Sequence, residues 1–350
     1  MRPTLLAVVL PLLAAAAMAA DPVLLASRRG GWMEAFRLDN LETVARIHMP
    51  ERVEGVEAFP DGQWLFVRAP HPQAPEVCCA LFALDTRRLR AFAILWPGIR
   101  PVLANGRLFT QRGDDGIDVF DARSLAHLPV LRAPGVYQLA ASPDGRWLIG
   151  ATQFPPSRLD IFDLSQLKLV RQIPAEGQPL RGVWLGSQYY LFAPGLPGAA
   201  RVWQVDPQAA GLPQPRLVRL ADSAACPEPD YQVLAAGDRL AVYSPLSPRP
   251  DRIECMAGGY ILADPTTAEA SKRLAPDLHF FSLIASPDGK ILYGTGTRDG
   301  KPGAAQLVKL DARSGQTLTA RALPSDAWYL TLASIPDEWQ GRMDLQAVFQ

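Results

Sequence analysis

The stretch Leu139-Ala-Ala-Ser-Pro-Asp-Gly-Arg-Trp-Leu-Ile149 packs an apolar strand, a tight turn and a second strand into one short unit. Proline presets φ, the Asp side chain caps the turn, and Gly takes a backbone angle that other residues avoid. The unit returns as Ala58-Phe-Pro-Asp-Gly-Gln-Trp-Leu-Phe66 and as Ala285-Ser-Pro-Asp-Gly-Lys-Ile-Leu-Tyr293. The copies lie 83 and 144 residues apart, close to two and three multiples of a period in the forties. A chain that repeats strand-turn-strand at this period is confined to a repeat architecture of β-sheets.

Degenerate copies fill the gaps. They are Leu103-Ala-Asn-Gly-Arg-Leu108, Leu185-Gly-Ser-Gln-Tyr-Tyr190, Ala235-Ala-Gly-Asp-Arg-Leu240 and Ala333-Ser-Ile-Pro-Asp337, which brings the count to seven. A second unit, a strand ending in Asp followed by a turn and another strand, alternates with the first. It is clearest at Ile117-Asp-Val-Phe-Asp121 and Leu159-Asp-Ile-Phe-Asp163. Further copies end at Asp39, Asp85, Asp206, Asp264 and Asp311. Neighbouring units are about 39 to 51 residues apart, the range of four-stranded propeller blades. Helical periodicity is almost absent, and apolar runs are bounded by Gly, Pro, Asp and Asn. The 33 prolines, about twice the usual ~5%, suit a fold of many short strands and rigid turns.

The fold expected is all-β: a seven-bladed β-propeller of four-stranded antiparallel blades, forming one domain over residues 20–350. The mature chain begins with a strand and an Asp turn but no inner strand. It ends with Trp328-Tyr-Leu-Thr-Leu-Ala333 and Leu345-Gln-Ala-Val-Phe349. The two ends are therefore expected to share one blade, with the 328–333 strand innermost, which removes an exposed sheet edge. The pattern resembles the YVTN-repeat propellers, and among these the propeller subunits of quinoprotein amine dehydrogenases. The tetrapeptide itself is absent. That resemblance implies a small partner subunit carrying a quinone cofactor, and no cofactor on this chain.

Residues 1–19 read as a secretory leader: Arg2, an apolar run over 5–18, then Ala17-Met18-Ala19 as a small-residue exit. The alternative is a membrane anchor, for which the run is short of the ~20 apolar residues a span needs. With cleavage, the mature protein is periplasmic or secreted and does not span the membrane. Export makes cysteine oxidation relevant. Cys226 and Cys255 fall in one enlarged, Pro-rich repeat and are expected to form a disulfide, the alternative being two buried thiols. Cys78 and Cys79 are adjacent, and neighbouring strand side chains point to opposite faces. They form a vicinal disulfide only with backbone strain, or stay apart.

The 35 acidic and 35 basic residues balance, leaving no basic stripe to neutralise phosphates, so nucleic acid is not an expected partner. No Cys-x-x-Cys-His, Gly-x-Ser-x-Gly or His-Glu-x-x-His occurs. The four histidines, His48, His71, His127 and His279, show no metal-ligand spacing, and no metal site is expected. Gly294-Thr-Gly-Thr-Arg-Asp-Gly300 reads as a hairpin, because no helix follows it to receive phosphate. Aligning the repeats places Glu54, Arg100, Gln138, Arg181, Asp230, Ser282 and Thr331 at the entrances of the inner strands. There they ring a channel mouth suited either to a small ligand or peptide, or to solvent alone. The function expected is an exported, non-catalytic propeller that binds a protein partner or small ligand, as a scaffold subunit. The alternatives are a subunit of a quinoprotein amine dehydrogenase-like enzyme and a lactonase-type propeller.

Overall fold

The two intact Ser-Pro-Asp-Gly turns fold as the same hydrogen-bonded loop. The structure, a computed structural model, describes residues 21–28, 31–49, 53, 55–58, 64–69, 80–86, 89–94, 101–112, 115–152, 157–175, 181–194, 199–209, 211, 214–219, 231–246, 258–298, 300, 305–324 and 327–346. Ser142 Oγ donates to Asp144 Oδ1 at 2.5 Å and accepts from Trp147 N at 2.8 Å. Asp144 Oδ1 also accepts from Arg146 N at 3.0 Å. At Ser286 the matching distances are 2.6, 3.0 and 3.2 Å, to Asp288 Oδ1, from Ile291 N, and between Lys290 N and Asp288 Oδ1. Gly145 and Gly289 take φ of 69° and 67°, the left-handed region where a Cβ is penalised.

The Asp turns are equally regular. Asp121 Oδ1 accepts from the main-chain N–H groups of Arg123 and Ser124 and from Ser124 Oγ. Asp311 repeats this with Arg313 and Ser314, and Asp264 with Thr266 and Thr267. Four residues after the turn-opening residue, the chain takes a positive φ at Leu41, Leu89, Leu125, Leu167, Ala268 and Gly315. This corrects one alignment. In the first repeat the turn opens at Arg37, to whose carbonyl Leu41 N donates, and Asp39 sits two residues too late to cap it.

The described residues form seven sheets in chain order. The first holds β1 (Val23–Arg28), β2 (Trp32–Arg37) and β3 (Thr43–His48). The second holds β4 (Gly55–Ala58), β5 (Trp64–Ala69), β6 (Ala80–Asp85) and β7 (Arg90–Ile94). In the third are β8 (Val102–Ala104), β9 (Arg107–Arg112), β10 (Gly116–Asp121) and β11 (His127–Arg132). The fourth comprises β12 (Val136–Ala141), β13 (Trp147–Thr152), β14 (Arg158–Asp163) and β15 (Lys168–Pro174). The fifth comprises β16 (Arg181–Leu185), β17 (Gln188–Pro194), β18 (Ala199–Val205) and β19 (Arg216–Arg219). Then come β20 (Gln232–Ala236), β21 (Arg239–Tyr243) and β22 (Tyr260–Ala263) in the sixth sheet. The seventh contains β23 (Leu278–Ala285), β24 (Ile291–Arg298), β25 (Ala305–Asp311) and β26 (Thr317–Ala322). Finally β27 (Ala327–Ala333) and β28 (Gly341–Asp344) return to the first sheet, whose order is β27-β1-β2-β3-β28. No α-helix occurs among the described residues.

The arrangement is that of a β-propeller. Inner strands β4, β27, β23, β20, β16, β12 and β8 neighbour one another in that sequence. Sheets pack face to face because alternate residues of each strand point to opposite neighbours. Thus Leu24 and Ala26 meet Tyr293 and Leu307 of the seventh sheet, while Leu25 meets Leu65 and Val67 of the second. Trp64 and Phe66 pack against Leu108, Phe109 against Leu139, Ile149 against Leu191, Phe192 against Val242, and Tyr243 against Leu292. At the rim, arginines of outer strands donate to carbonyls of the next sheet's turn. Arg216 Nη1 reaches Pro265 O at 3.2 Å, Arg321 Nη1 reaches Leu41 O at 2.9 Å, and Arg171 Nη1 reaches Ala209 O.

The ends meet as expected. β1 pairs antiparallel with β27, which lies at the inner end of the sheet order, with Val23 opposite Ala333 and Ser27 opposite Tyr329. Of the segment 345–349 expected as a strand, residues 347–349 lie outside the described residues, and a strand forms just before it. Gly341–Asp344 pairs in parallel with β3, giving this sheet five strands. Leu345 follows it as a buried anchor, with Trp339 wholly buried in the cluster between the first two sheets. The sixth sheet has three strands instead of four. Ser271 Oγ takes the Leu262 N–H at 3.0 Å in place of a ladder carbonyl, so residues 270–274 make only bridges at Ala270 and Leu274. The glycine-rich run from Gly294 to Arg298 is the last part of β24, which pairs antiparallel with the following β25 as a hairpin arm. Cβ atoms there would meet the Phe280 ring at 2.8 Å from Gly294 and His279 O at 2.2 Å from Gly296.

Trp339→Ala is expected to destabilise the protein by about 3–5 kcal/mol through the cavity it leaves. Leu318→Ala, on the exposed face of β26, should stay within about 0.5 kcal/mol. Urea unfolding of both variants checks the contrast. A second expectation concerns acid. Asp121 is held below its ordinary 3.8 first by the Ser124 N–H and then by its hydroxyl. Asp144, Asp163, Asp264, Asp288 and Asp311 are lowered chiefly by the hydroxyls of Ser142, Ser165, Thr266, Ser286 and Ser314. Their contribution is fully present above the unfolded value and is lost as pH falls through the lowered folded values. The urea midpoint should therefore fall below about pH 4, and replacing these six by Asn should flatten that fall.

Candidate functional site

Each inner strand pairs with another strand on one side only, so its other edge faces the propeller axis. Of the residues expected at the strand entrances, Arg181 opens β16, while Gln138, Ser282 and Thr331 lie within β12, β23 and β27. Glu54, Arg100 and Asp230 fall outside the described residues, as do Cys78, Cys79, Cys226 and Cys255. Gln138 is spent within the fold. Its Nε2 donates to Gly182 O at 3.3 Å and its Oε1 accepts from Gly182 N at 3.0 Å. The amide thus fills the free edge of β16 and ties the fourth sheet to the fifth. Gly182 has no room for a side chain, since a Cβ there would lie 1.7 Å from Tyr189 Oη. Tyr189 is wholly buried, and desolvation raises its phenol far above the ordinary value of 10.0. Arg181 opens β16 and is half-buried, whereas Ser282 and Thr331 are buried within their sheets.

An opening lies at the end of the strands where the turns are. A cavity of about 480 Å³ is lined by residues 184–186, 232–235 and 283–289, together with Gly237 and Tyr243. None of the four described entrance residues, Gln138, Arg181, Ser282 and Thr331, lines it. Three inner strands meet there: the exit of β16, most of β20 and the exit of β23. Several of its apolar side chains also pack into the junctions between sheets. Leu234, Tyr243 and Leu283 belong to the cluster between the sixth and seventh sheets, and Val233 and Leu185 to that between the fifth and sixth. Trp184 packs on Tyr189 with centroids 5.3 Å apart. The polar part of the wall includes main-chain edge, Gln232 and the turn that carries Asp288.

Asp288 is the one charged side chain among the lining residues. Its Oδ1 is engaged by Ser286 and Lys290 N, while Oδ2 has Lys290 Nζ at 3.7 Å. The turns of the sixth and seventh sheets touch at the cavity rim. A Cβ on Gly289 would lie 1.8 Å from Gly237 N. Tyr243 Oη accepts from Leu283 N at 3.2 Å, fixing the wall behind. The repeat alignment pointed to polar side chains at strand entrances and so missed this end, because its defining groups are main chain, which carries no sequence signature. No group of His, Cys, Asp and Glu suited to a metal ion occurs among the described residues.

No protein-family model matches the sequence, and no curated protein matches it. Solved structures do match. Dihydro-heme d1 dehydrogenase NirN, in complex with DHE, aligns with a TM-score of 0.55 at 15% identity, over 88% of this chain and 74% of that one. Hydrazine synthase from Kuenenia stuttgartiensis aligns with a TM-score of 0.59 at 14% identity, over 81% of this chain and 90% of that one. At such identities the likeness shows the propeller fold alone. Folds of this kind host many unrelated activities.

Two glycines in identical turns separate backbone strain from hub contact. Gly145→Ala would bring its Cβ only within 3.5 Å of Asn105 N, so the cost should be the left-handed penalty of about 1–2 kcal/mol. Gly289→Ala adds the collision with Gly237 and should cost about 1–3 kcal/mol more. Chemical denaturation of the pair reads the difference.

Proposed function

We propose that the chain is an exported seven-bladed propeller of YVTN-repeat type that binds a small ligand in its axial cavity and is not an enzyme by itself. The blade number is supported by the seven sheets and by the junction clusters linking each sheet to the next, from the first round to the seventh and back. The observation that carries the binding reading is the cavity of about 480 Å³ between three inner strands, within the size range of small-molecule sites. Export rests on the leader-like residues 1–19, and the Cys226–Cys255 bridge belongs to the same proposal.

The test is a thermal-shift screen of the mature protein with uncharged, cationic and anionic small molecules. At least one class should raise the Tm and selectively perturb the backbone amide resonances of residues 232–235. No stabilisation by any class, or perturbation confined to other blades, would sink the cavity as the binding site. Mass spectrometry of the secreted protein should find cleavage near Ala19 and a linked Cys226–Cys255 peptide. An intact Met1 would refute export with processing.

A second reading has one observation in its favour: both similar structures bear the names of enzymes. On that reading the chain is the propeller subunit of an oxidoreductase whose cofactor sits on a partner. Native purification should then yield a stoichiometric small subunit absorbing in the visible, and an isolated colourless monomer would count against it.

A further inference from the structure

The cavity's wall selects among ligand chemistries, and the argument rests on the reading of that cavity as a ligand site. Three free strand edges converge on it, from β16, β20 and β23. Each edge presents alternating N–H and C=O groups, so the wall offers donors and acceptors in several directions at once. Gln138 shows how such an edge is filled: an uncharged group with a donor and an acceptor side by side caps both polar atoms of Gly182. In the cavity the Tyr243 hydroxyl takes the Leu283 N–H, and no described side chain caps an edge donor and acceptor together. The Gln232 amide, half-buried, makes no hydrogen bond to any described residue and faces the same space.

Charge narrows the choice. No basic side chain is among the described residues that line the cavity, and their single carboxylate, that of Asp288, disfavours an anion. The main-chain acceptors and donors carry no net charge, and Asp288 already has Lys290 Nζ at 3.7 Å from its outer oxygen. Nothing in the wall therefore requires a cation. An extended peptide would add to one edge along its length, but three edges from three sheets cannot all be satisfied by one strand. A hydroxyl both donates and accepts. A ring of hydroxyls radiates hydrogen bonds in the directions these edges demand. We infer that the cavity takes an uncharged polyhydroxylated ligand, a mono- or disaccharide, held by the free edge of β20, the Gln232 amide and the outer oxygen of Asp288.

The test uses the full mature protein and a fixed set of probes: glucose, N-acetylglucosamine, maltose and trehalose, against tetramethylammonium chloride, sodium phosphate and tetra-alanine. Binding is read by saturation-transfer NMR and calorimetry. At least one sugar should bind, with Asp288→Asn and Gln232→Leu each weakening it about tenfold, the order of one hydrogen bond to a charged or buried partner. Asp144→Asn is the control for fold. It makes the same change in the same turn geometry, on the fourth sheet, whose residues do not line the cavity, and should leave affinity unchanged. If only the cation, the phosphate or the peptide binds and perturbs residues 232–235, the cavity reading stands and the saccharide inference falls. Equal weakening by Asp144→Asn and Asp288→Asn would also overturn the inference, since the effect would then be one of stability. If no probe binds, both fall together.

Discussion

The pairing of β1 with β27 holds the whole arrangement. It joins residues about three hundred positions apart, with Val23 against Ala333 and Leu25 against Thr331, and places an inner strand from the C-terminal end beside outer strands from the N-terminal end. The first sheet packs on the second and the seventh only when this register is made, because Val23 and Leu25 face one neighbour and Leu24 and Ala26 face the other. A slip by one residue would exchange those faces. Closure therefore depends on hydrogen bonds for its register and on burial for its free energy. The strap from Ile335 to Leu345 adds to the same sheet, with Ile335, Trp339 and Leu345 all buried against the first two sheets.

Turns do two different tasks in this molecule. At the rim, Asp turns receive arginines from the preceding sheet, as at Leu41 and Pro265. Near the hub, the Ser-Pro-Asp-Gly turns space the inner strands. The turns at Ser142 and Ser286 have nearly the same internal bonds, and the second lines the cavity between the fifth, sixth and seventh sheets. The difference is the neighbour. Gly145 sits at ordinary contact distance from Asn105, whereas Gly289 lies against Gly237. Three buried carboxylates in corresponding third strands show a similar economy of design with varied partners: Glu34 with Arg46 at 3.0 Å, Asp118 with His127 at 2.8 Å, and Asp160 with Gln172 at 2.9 Å. Each fastens an outer strand to its sheet.

Much of the architecture was legible in the chain. Strand-turn-strand units at a period in the forties determined an all-β repeat fold, and the phase of the two ends determined that β27 would lie inside the sheet begun by β1. These features are local: turn residues, alternation and apolar runs act within a few positions. Where a side chain competes with the ladder, as Ser271 does, or where a strand is recruited in parallel, as at Gly341–Asp344, the local pattern gave no warning. Arg37 taking the place expected for Asp39 is a case of the same kind, since the αL position at Leu41 sets the turn and not the carboxylate.

The site was decided by tertiary structure alone. A polar residue at a strand entrance is visible in a sequence, but whether it meets solvent, a ligand or a neighbouring main chain depends on the next sheet. Gln138 meets Gly182, and Ser282 is buried. The cavity at the turn end of the strands is walled by main-chain edges of β16, β20 and β23, several of whose apolar side chains pack into the junctions. Peptide groups are the same in every residue. Their exposure to one shared space follows from how sheets converge, and the order of residues along the chain does not record it.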